Sequence, residues 1–520
     1  VKGGIMSTVR DRIRVALRKG DLKGFCETVR AARSRDWMRT GGARYARQRV
    51  REARAEWSGR WPGKPIPDGA LAAPARKSED EPPQGYVVLV PSEARPRSLS
   101  AAATVEVPSS RVNPLELKAA DAFLESALGP RWSHAFVGER IDGVATVEAA
   151  GHRHGRNHKR KDPIARRLPL TRTLLMRRLS KVDRHALKRA GAIVMKNAYV
   201  QLPKGASPNE GRPTKAGGKP NDLWHLDAIG FQPRPDDTLG KDVLVGVLDT
   251  AVDLDHPEIE GKVEDFICFA PDVLDRETAY RRRAMVGPAE HGTAVAALCA
   301  GRNVGIARDA RLLVASVLTK VTSQGIVGQL VQVSEGMEWL IERAGGRPIV
   351  FNASLAVQGY DRYLTASAQT VEDIGNGFVG AIGNWGPYAG YTGSPGNYAN
   401  VIGVGAVDRL NRVSEISSWL YRRSDTDGFK PDLCAPGEGV PSALAGGGYG
   451  VFTGTSYAAP IVTGIMAVML ARNPAYRRDR RGWHADLFAT CTRIADPRSG
   501  RGVVGFPPGG PGGPAPPLIS

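Results

Sequence analysis

The C-terminal half of the sequence predicts an α/β fold, a parallel sheet with helices on both faces, preceded by a smaller α+β domain and basic helices. From Asp222 onward, runs rich in Val, Ile and Ala recur at 243–248, 312–318, 349–352, 378–382 and 401–407. Helical patterns closed by Gly turns lie between them. Near-continuous apolar strands alternating with helices read as a parallel sheet buried on both faces. Size agrees, since 520 residues with 42% hydrophobic content exceed one ordinary domain and can bury a sizeable core.

In chain order, residues 1–60 read as a basic helical region with Ile13, Leu17, Leu22, Phe25 and Val29 as core positions. Residues 61–84 shift to Pro, Gly, Ala and mixed charge, which marks a linker. Residues 85–203 form the α+β domain. It has strand-like runs at 86–90, 103–107 and 144–147, and a helix at 114–128. A helix over 182–189, a stop at Gly191 and a strand over 193–202 close it. A Pro/Gly/Lys-rich linker spans 204–221, the α/β domain spans 222–499, and a Gly/Pro-rich tail without fixed structure is expected over 500–520.

The net charge of +19 is unevenly placed. Residues 1–60 hold 17 Lys/Arg against 6 Asp/Glu, and residues 151–190 hold 14 against 2, so the remainder is slightly negative. This predicts an acidic protein partner for the basic N-terminal region. Nucleic acid is the weaker reading, because no aromatic-interleaved basic motif accompanies the charge. His152, His154 and His158 lie in the tract without Cys or carboxylate neighbours and read as a solvated basic linker, not a metal site. Five widely spaced cysteines, an odd number, argue against a disulfide framework and for a reducing compartment. No signal-like apolar core is visible and no segment reaches the roughly 18 apolar residues of a membrane span. The expectation is a cytoplasmic protein with no membrane span.

Reactive groups of an open parallel sheet collect at the carboxyl ends of its strands. Asp249 is the first polar residue after the run 243–248. His291 stands at the start of a helix of small residues that ends near Gly301, and small residues let that helix pack close to the sheet. Ser456 follows the turn Phe452-Thr453-Gly454-Thr455 and opens an apolar helix. Free N–H groups and the helix dipole there favour developing negative charge, as a serine nucleophile requires. Asn384, in Gly383-Asn384-Trp385-Gly386 after the run 378–382, can donate its amide to the same oxyanion. Taken singly, each residue is as well read as a helix cap or a turn residue.

In the order Asp, His, Ser, with these flanks, the sequence resembles the subtilisin-like (subtilase) family of serine proteases. Asp255-His256-Pro257, Ser354-Leu355, 401–407 and Lys430-Pro431-Asp432-Leu433-Cys434-Ala435-Pro436-Gly437 also match, so the resemblance covers about 222–495. It implies a serine endopeptidase acting on protein or peptide substrates through an acyl-enzyme. Ser456 would be the nucleophile, His291 the general base and acid, and Asp249 its orienting carboxylate. Asn384 and the Ser456 backbone N–H would form the oxyanion hole, and Ser354, Leu355 and Ala356 the substrate-binding strand. No cofactor is required on this reading, no metal ligand is assigned, and structural calcium stays an open question because no compelling acidic loop is seen.

Two departures stand out. Ala251 replaces the family's usual glycine after the aspartate, where a positive φ would be costly. Ala356-Val357 replaces glycine after Ser-Leu, which narrows the primary specificity pocket. Residues 85–203 resemble a propeptide in position and mixed pattern, with self-processing expected between 203 and 222; a permanent accessory domain fits the same pattern. The alternative for the whole chain is a catalytically silent subtilase fold serving as a peptide-binding module.

Overall fold

The computed structural model describes residues 85–90, 123, 126–127, 136–141, 144–149, 164–168, 170, 173–176, 179–202, 222–269, 287–323, 325–388, 390–420 and 429–508. All lie in one compact unit, Pro82–Ser520. The basic helices, the 61–84 and 204–221 linkers, the run 103–107, most of the helix 114–128 and the histidine tract fall outside the described residues.

The expected α+β domain contains an antiparallel sheet in the order β4-β5-β1-β6. Its strands are β1 (Tyr86–Leu89), β4 (Ile164–Leu168), β5 (Thr173–Met176) and β6 (Ile193–Lys196). A separate hairpin joins β2 (Phe136–Ile141) to β3 (Val144–Ala149). Helix α1 (Lys181–Arg189) starts with a capping box between Ser180 and Asp183, carries Lys188 and Arg189 in its last turn, and is followed by Gly191 at φ 91°. Val88, Val90, Leu174, Met176, Leu187 and Val194 form its core. The strand expected over 193–202 divides in two, with β7 (Tyr199–Gln201) leaving this sheet.

The larger part holds a seven-stranded sheet in the order β18-β17-β15-β13-β8-β10-β9, with every pairing parallel. The five apolar runs become β8 (Leu244–Asp249), β10 (Arg311–Ser316), β13 (Ile349–Ala353), β15 (Gly377–Ala381) and β17 (Ile402–Val407). The edges β9 (Val263–Cys268) and β18 (Leu433–Pro436) complete it. Five helices accompany the sheet: α2 (Trp224–Ala228), α3 (Glu290–Ala300), α4 (Leu330–Ala344), α5 (Thr365–Asp373) and α6 (Thr455–Arg472), with α7 (Arg480–Ala489) following. Two large apolar clusters result, one holding α3 and α6, the other α4. Helix α6 is long and apolar enough to span a membrane, but it is the buried central helix of this domain. Shorter strands lie outside the large sheet: β11 (Lys320–Thr322), β12 (Gly325–Gln329), β14 (Val357–Gln358), β16 (Gly393–Ser394), β19 (Val440–Ala443) and β20 (Tyr449–Phe452).

One expectation is corrected. Residues 500–508, placed in the tail, pack onto the domain, because Val503 and Val504 are apolar enough to bury among the prolines and glycines. Val503 exchanges backbone hydrogen bonds with Thr492, Val504 N–H donates to Cys434, and Arg472 stacks on Phe506 at 5.0 Å. Residues 509–520 lie outside the described residues.

The buried carboxylate Glu258 ties distant segments together. It accepts hydrogen bonds from Asn303 N (2.8 Å), Asn303 Nδ2 (2.7 Å), Val304 N (3.2 Å) and the Tyr449 hydroxyl (2.6 Å). Burial, the largest influence, pushes its carboxyl up, but the donors together hold it below the ordinary value. Glu258→Ala would leave two backbone N–H groups and a phenol without their acceptor. A loss of about 3–5 kcal/mol is expected, with Glu258→Gln milder, measured as denaturation midpoints.

His225 donates Nε2–H to Val304 O at 2.9 Å, while its buried Nδ1 has no partner among the described residues. Protonation would strand a charge there, so burial, joined by Arg308, pushes the imidazole down to about 4 despite the Val304 bond. His484, beside Arg480 and Lys430, is likewise pushed down to about 4, chiefly by burial. The unfolded chain takes up these protons near pH 6.5 and the folded chain only near pH 4. Stability should therefore fall as pH drops from about 6.5 to 4, by about 3 kcal/mol for His225. His225→Gln should flatten that slope in urea titrations; an unchanged slope would remove His225 as its source.

Candidate active site

Three strand ends and two helix starts build the site. Asp249 closes β8, fully buried, and its Oδ1 accepts Thr250 N at 2.6 Å and His291 Nδ1–H at 2.8 Å. His291 is the second residue of α3. Its neighbour Gly292 lets the helix reach the strand: a Cβ there would stand 2.6 Å from Ala251 O and 2.9 Å from Thr250 O. Ala251 does not need the conformation its substitution for glycine raised, because the positive-φ non-glycine residues among those described are Asp242 and Asn411.

The Asp249 bond fixes the imidazole with its proton on Nδ1, leaving Nε2 as the basic atom. Nε2 has no hydrogen-bond partner among the described residues. The Tyr457 ring sits 5.3 Å from the His291 ring, so the turn carrying Ser456 lies beside the imidazole. Ser456, the second residue of α6 and fully buried, points its hydroxyl at Ser354 O, 3.4 Å away, not at His291. Burial and then the charge of Asp249 raise the Tyr457 phenol and the Cys299 thiol, keeping both neutral.

Pro460 explains how the serine turn is held. Proline has no N–H to offer the carbonyl four residues back. That carbonyl, Ser456 O, accepts the Ser354 hydroxyl at 2.7 Å instead. Ser354 Oγ accepts Asn352 Nδ2 at 3.0 Å, and Asn352 Oδ1 accepts the Thr463 hydroxyl at 2.9 Å. The pair Ser456 and Pro460, four residues apart, was the visible sequence signal for this anchor.

Asn384 is oriented by Thr455, whose backbone N–H and hydroxyl both donate to Oδ1, at 2.9 and 2.8 Å. Its Nδ2 is therefore turned away, buried without a partner among the described residues. Gly454, at φ 151°, admits it, since a Cβ there would stand 3.0 Å from Nδ2. The Ser456 N–H, in the first turn of its helix, lacks an intrahelical acceptor.

Ser354, Leu355 and Ala356 follow β13 and are all buried. The structure pairs the last of them, Ala356, with the chain itself. Gln201 N–H donates to Ala356 O (3.1 Å) and Ala356 N–H to Gln201 O (2.9 Å), while β12 flanks β7 on the other side. The sequence reading named the Asp–His–Ser set and Asn384 as one site; it did not show that Gln201 of β7 would pair with Ala356 or that the Trp385 ring would lie on Gly383 and Gly393.

Among the described residues no group of three or more His, Cys, Asp or Glu could hold a metal. The buried Glu258 has both oxygens committed to N–H and O–H donors.

An Asp–His pair at the carboxyl edge of a parallel sheet, a serine at a helix start and an unpaired amide make this an α/β protein with a candidate serine-triad site. A family model described as the subtilase family (Peptidase S8) matches residues 240–503, just over half of the sequence. The chain belongs to the subtilase family. It is similar to subtilisin-like protease 3 of Arthroderma otae, 27% identical over 239 residues, covering 46% of this chain and 54% of that protein. It is also similar to subtilisin-like protease PopC of Myxococcus xanthus, 36% identical over 121 residues, 22% of this chain and 25% of that one. The chain spans about half the length of the first of these relatives. A solved structure titled S41 psychrophilic protease is 25% identical, covering 54% of this chain and 97% of that one, with a TM-score of 0.46.

Proposed function

We propose that this chain is a serine endopeptidase, made latent by its own residues 85–202. The observation that carries the reading is the Asp249–His291 bond at 2.8 Å with Nε2 left free beside the Ser456 turn. Rotation of the Ser456 hydroxyl from Ser354 O towards Nε2 readies the nucleophile. Oγ then bonds to the peptide carbonyl carbon as its proton passes to Nε2. The carbonyl oxygen takes the negative charge, held by Asn384 Nδ2–H and Ser456 N–H. His291 returns the proton to the leaving amine, and water repeats the sequence on the acyl-enzyme.

Latency is supported by β7. An extended segment hydrogen-bonded antiparallel to a substrate strand is how a peptide would bind there, and Gln201 already does so at Ala356. The antiparallel direction runs β7 towards the Ser354 end of that strand. Asp249, His291 and Ser456 are no more than 1% exposed. Self-cleavage between 203 and 222 would release this segment. The test is intact mass of the full chain and Ser456→Ala after a fluorophosphonate probe. One adduct and one cut within 203–222, both absent from the variant, support both parts. A cut in both proteins removes self-processing. A folded, cut chain that takes no probe returns the silent peptide-binding fold. For residues 1–60 and 151–190, the charge excess favours an acidic partner, which salt-sensitive retention on a polyanion would support.

A further inference from the structure

Beyond Asn384 the chain does something the triad does not require. The indole of Trp385 turns back across the ends of two strands. A Cβ at Gly383 would lie 2.3 Å from Cζ3 and 2.5 Å from Cε3 of that ring. A Cβ at Gly393 would lie 3.0 Å from Cζ3, 3.3 Å from Cη2 and 2.6 Å from the Ala356 methyl. The six-membered ring therefore rests on the bare Cα faces of Gly383 and Gly393, with the Ala356 methyl close to the same face of Gly393.

These contacts floor one slot. Its first wall is Ser354–Ala356, continued by β14, which pairs with β16 at Gln358 and Gly393. Its second wall is Ile382–Asn384, joined to the floor by Gly393 N–H donating to Ile382 O at 2.8 Å. Ser456, beside Ser354 O, stands at the mouth. A substrate strand bound to Ala356 as Gln201 is, with its carbonyl at Ser456 and its oxygen at Asn384, must place one side chain between these walls. Side chains stand perpendicular to such a strand, so it is the residue supplying the scissile carbonyl.

We infer that Trp385, with Ala356, fills this slot and makes the enzyme cleave after small residues: alanine, serine or glycine. The inference rests on the endopeptidase reading above. The sequence between Leu202 and Leu223 offers such sites: residues 203–222 contain Gly205, Ala206, Ser207 and Ala216 but no aromatic residue and no Leu, Ile, Val or Met, and the first position in register beyond Gln201–Ala356, opposite Ser354, is Pro203. A cleft closed to large side chains would still find a site there.

The test uses the full chain, allowed to process itself, and two peptidyl diphenyl phosphonates that differ only in carrying alanine or phenylalanine at the reacting position. A small fluorophosphonate runs beside them, with adducts read by mass. One methylene in an apolar pocket changes selectivity by about 10- to 200-fold; a phenyl ring facing an occupied slot should exceed that. The expected result is labelling by the alanine probe at least 100-fold faster than by the phenylalanine probe. Trp385→Gly should cut that ratio at least 30-fold. Equal or faster labelling of the wild type by the phenylalanine probe overturns the inference and leaves the enzyme reading intact; this holds even if Trp385→Gly does not fold. Trp385→Gly that folds and keeps the wild-type ratio overturns the role of the indole. Failure of all three probes to label Ser456 overturns the endopeptidase reading and the selectivity with it.

Discussion

Ser456→Ala should lower peptide hydrolysis by about a million-fold, and His291→Ala by a similar factor, with the double variant losing no more than either alone. The non-additivity follows from the geometry. Nε2 is the free acceptor because Nδ1–H is held on Asp249 Oδ1, and that acceptor has no use without a hydroxyl to deprotonate. The serine in turn has no other base among the groups it touches, since its hydroxyl faces the Ser354 carbonyl, which cannot accept a proton for catalysis. Turnover of a peptide amide by the three variants measures this. Losses that multiply in the double variant would mean the two groups act separately and would break the proton-transfer scheme.

Asn384→Asp should lower kcat by about 1000-fold or more while leaving the fold nearly as stable. The substitution keeps the Oδ1 that accepts both Thr455 donors, so the turn before Ser456 keeps its anchor. What it removes is the Nδ2 donor, replacing it with an oxygen that repels the developing oxyanion. Removing a single such donor is worth about 3 kcal/mol of barrier, and the added repulsion works in the same direction. Asn384→Ala should lose comparable rate but also stability, because Thr455 N–H and its hydroxyl are left without their acceptor in a buried site. Thermal midpoints and kcat measured together separate these effects. A fast Asn384→Asp enzyme would show that the amide is structural only.

The sheet was legible where apolar residues run without interruption: 243–248, 312–318, 349–352, 378–382 and 401–407 each became a strand. Its edges were not. Val263–Cys268 carries Glu264 and Asp265, one face being open to water, and Leu433–Pro436 is too short and ends on a proline. The hairpin Phe136–Ile141 with Val144–Ala149 was half seen, because only its second strand reads as apolar. In the site, Asp249, His291, Ser456 and Asn384 were legible because each has a local flank that positions it: a strand end, a helix start, a glycine turn. Glu258 was not, since Tyr449 reaches it from 191 residues away and no local pattern encodes that partner. The position of the Trp385 ring was equally hidden. It depends on Gly393 and Ala356, which approach it only after β14 and β16 pair.

The pairing of Gln201 with Ala356 holds for as long as both ends belong to one molecule. Joined through 203–221, the segment competes for the cleft at an effective concentration set by a short tether, in the millimolar range. After a cut in that stretch the same contacts must hold a separate fragment against diffusion. If the proposed cut occurs, release would depend on how dilute the protein is: crowded molecules would stay silenced by the fragments they shed, and dilution would free them.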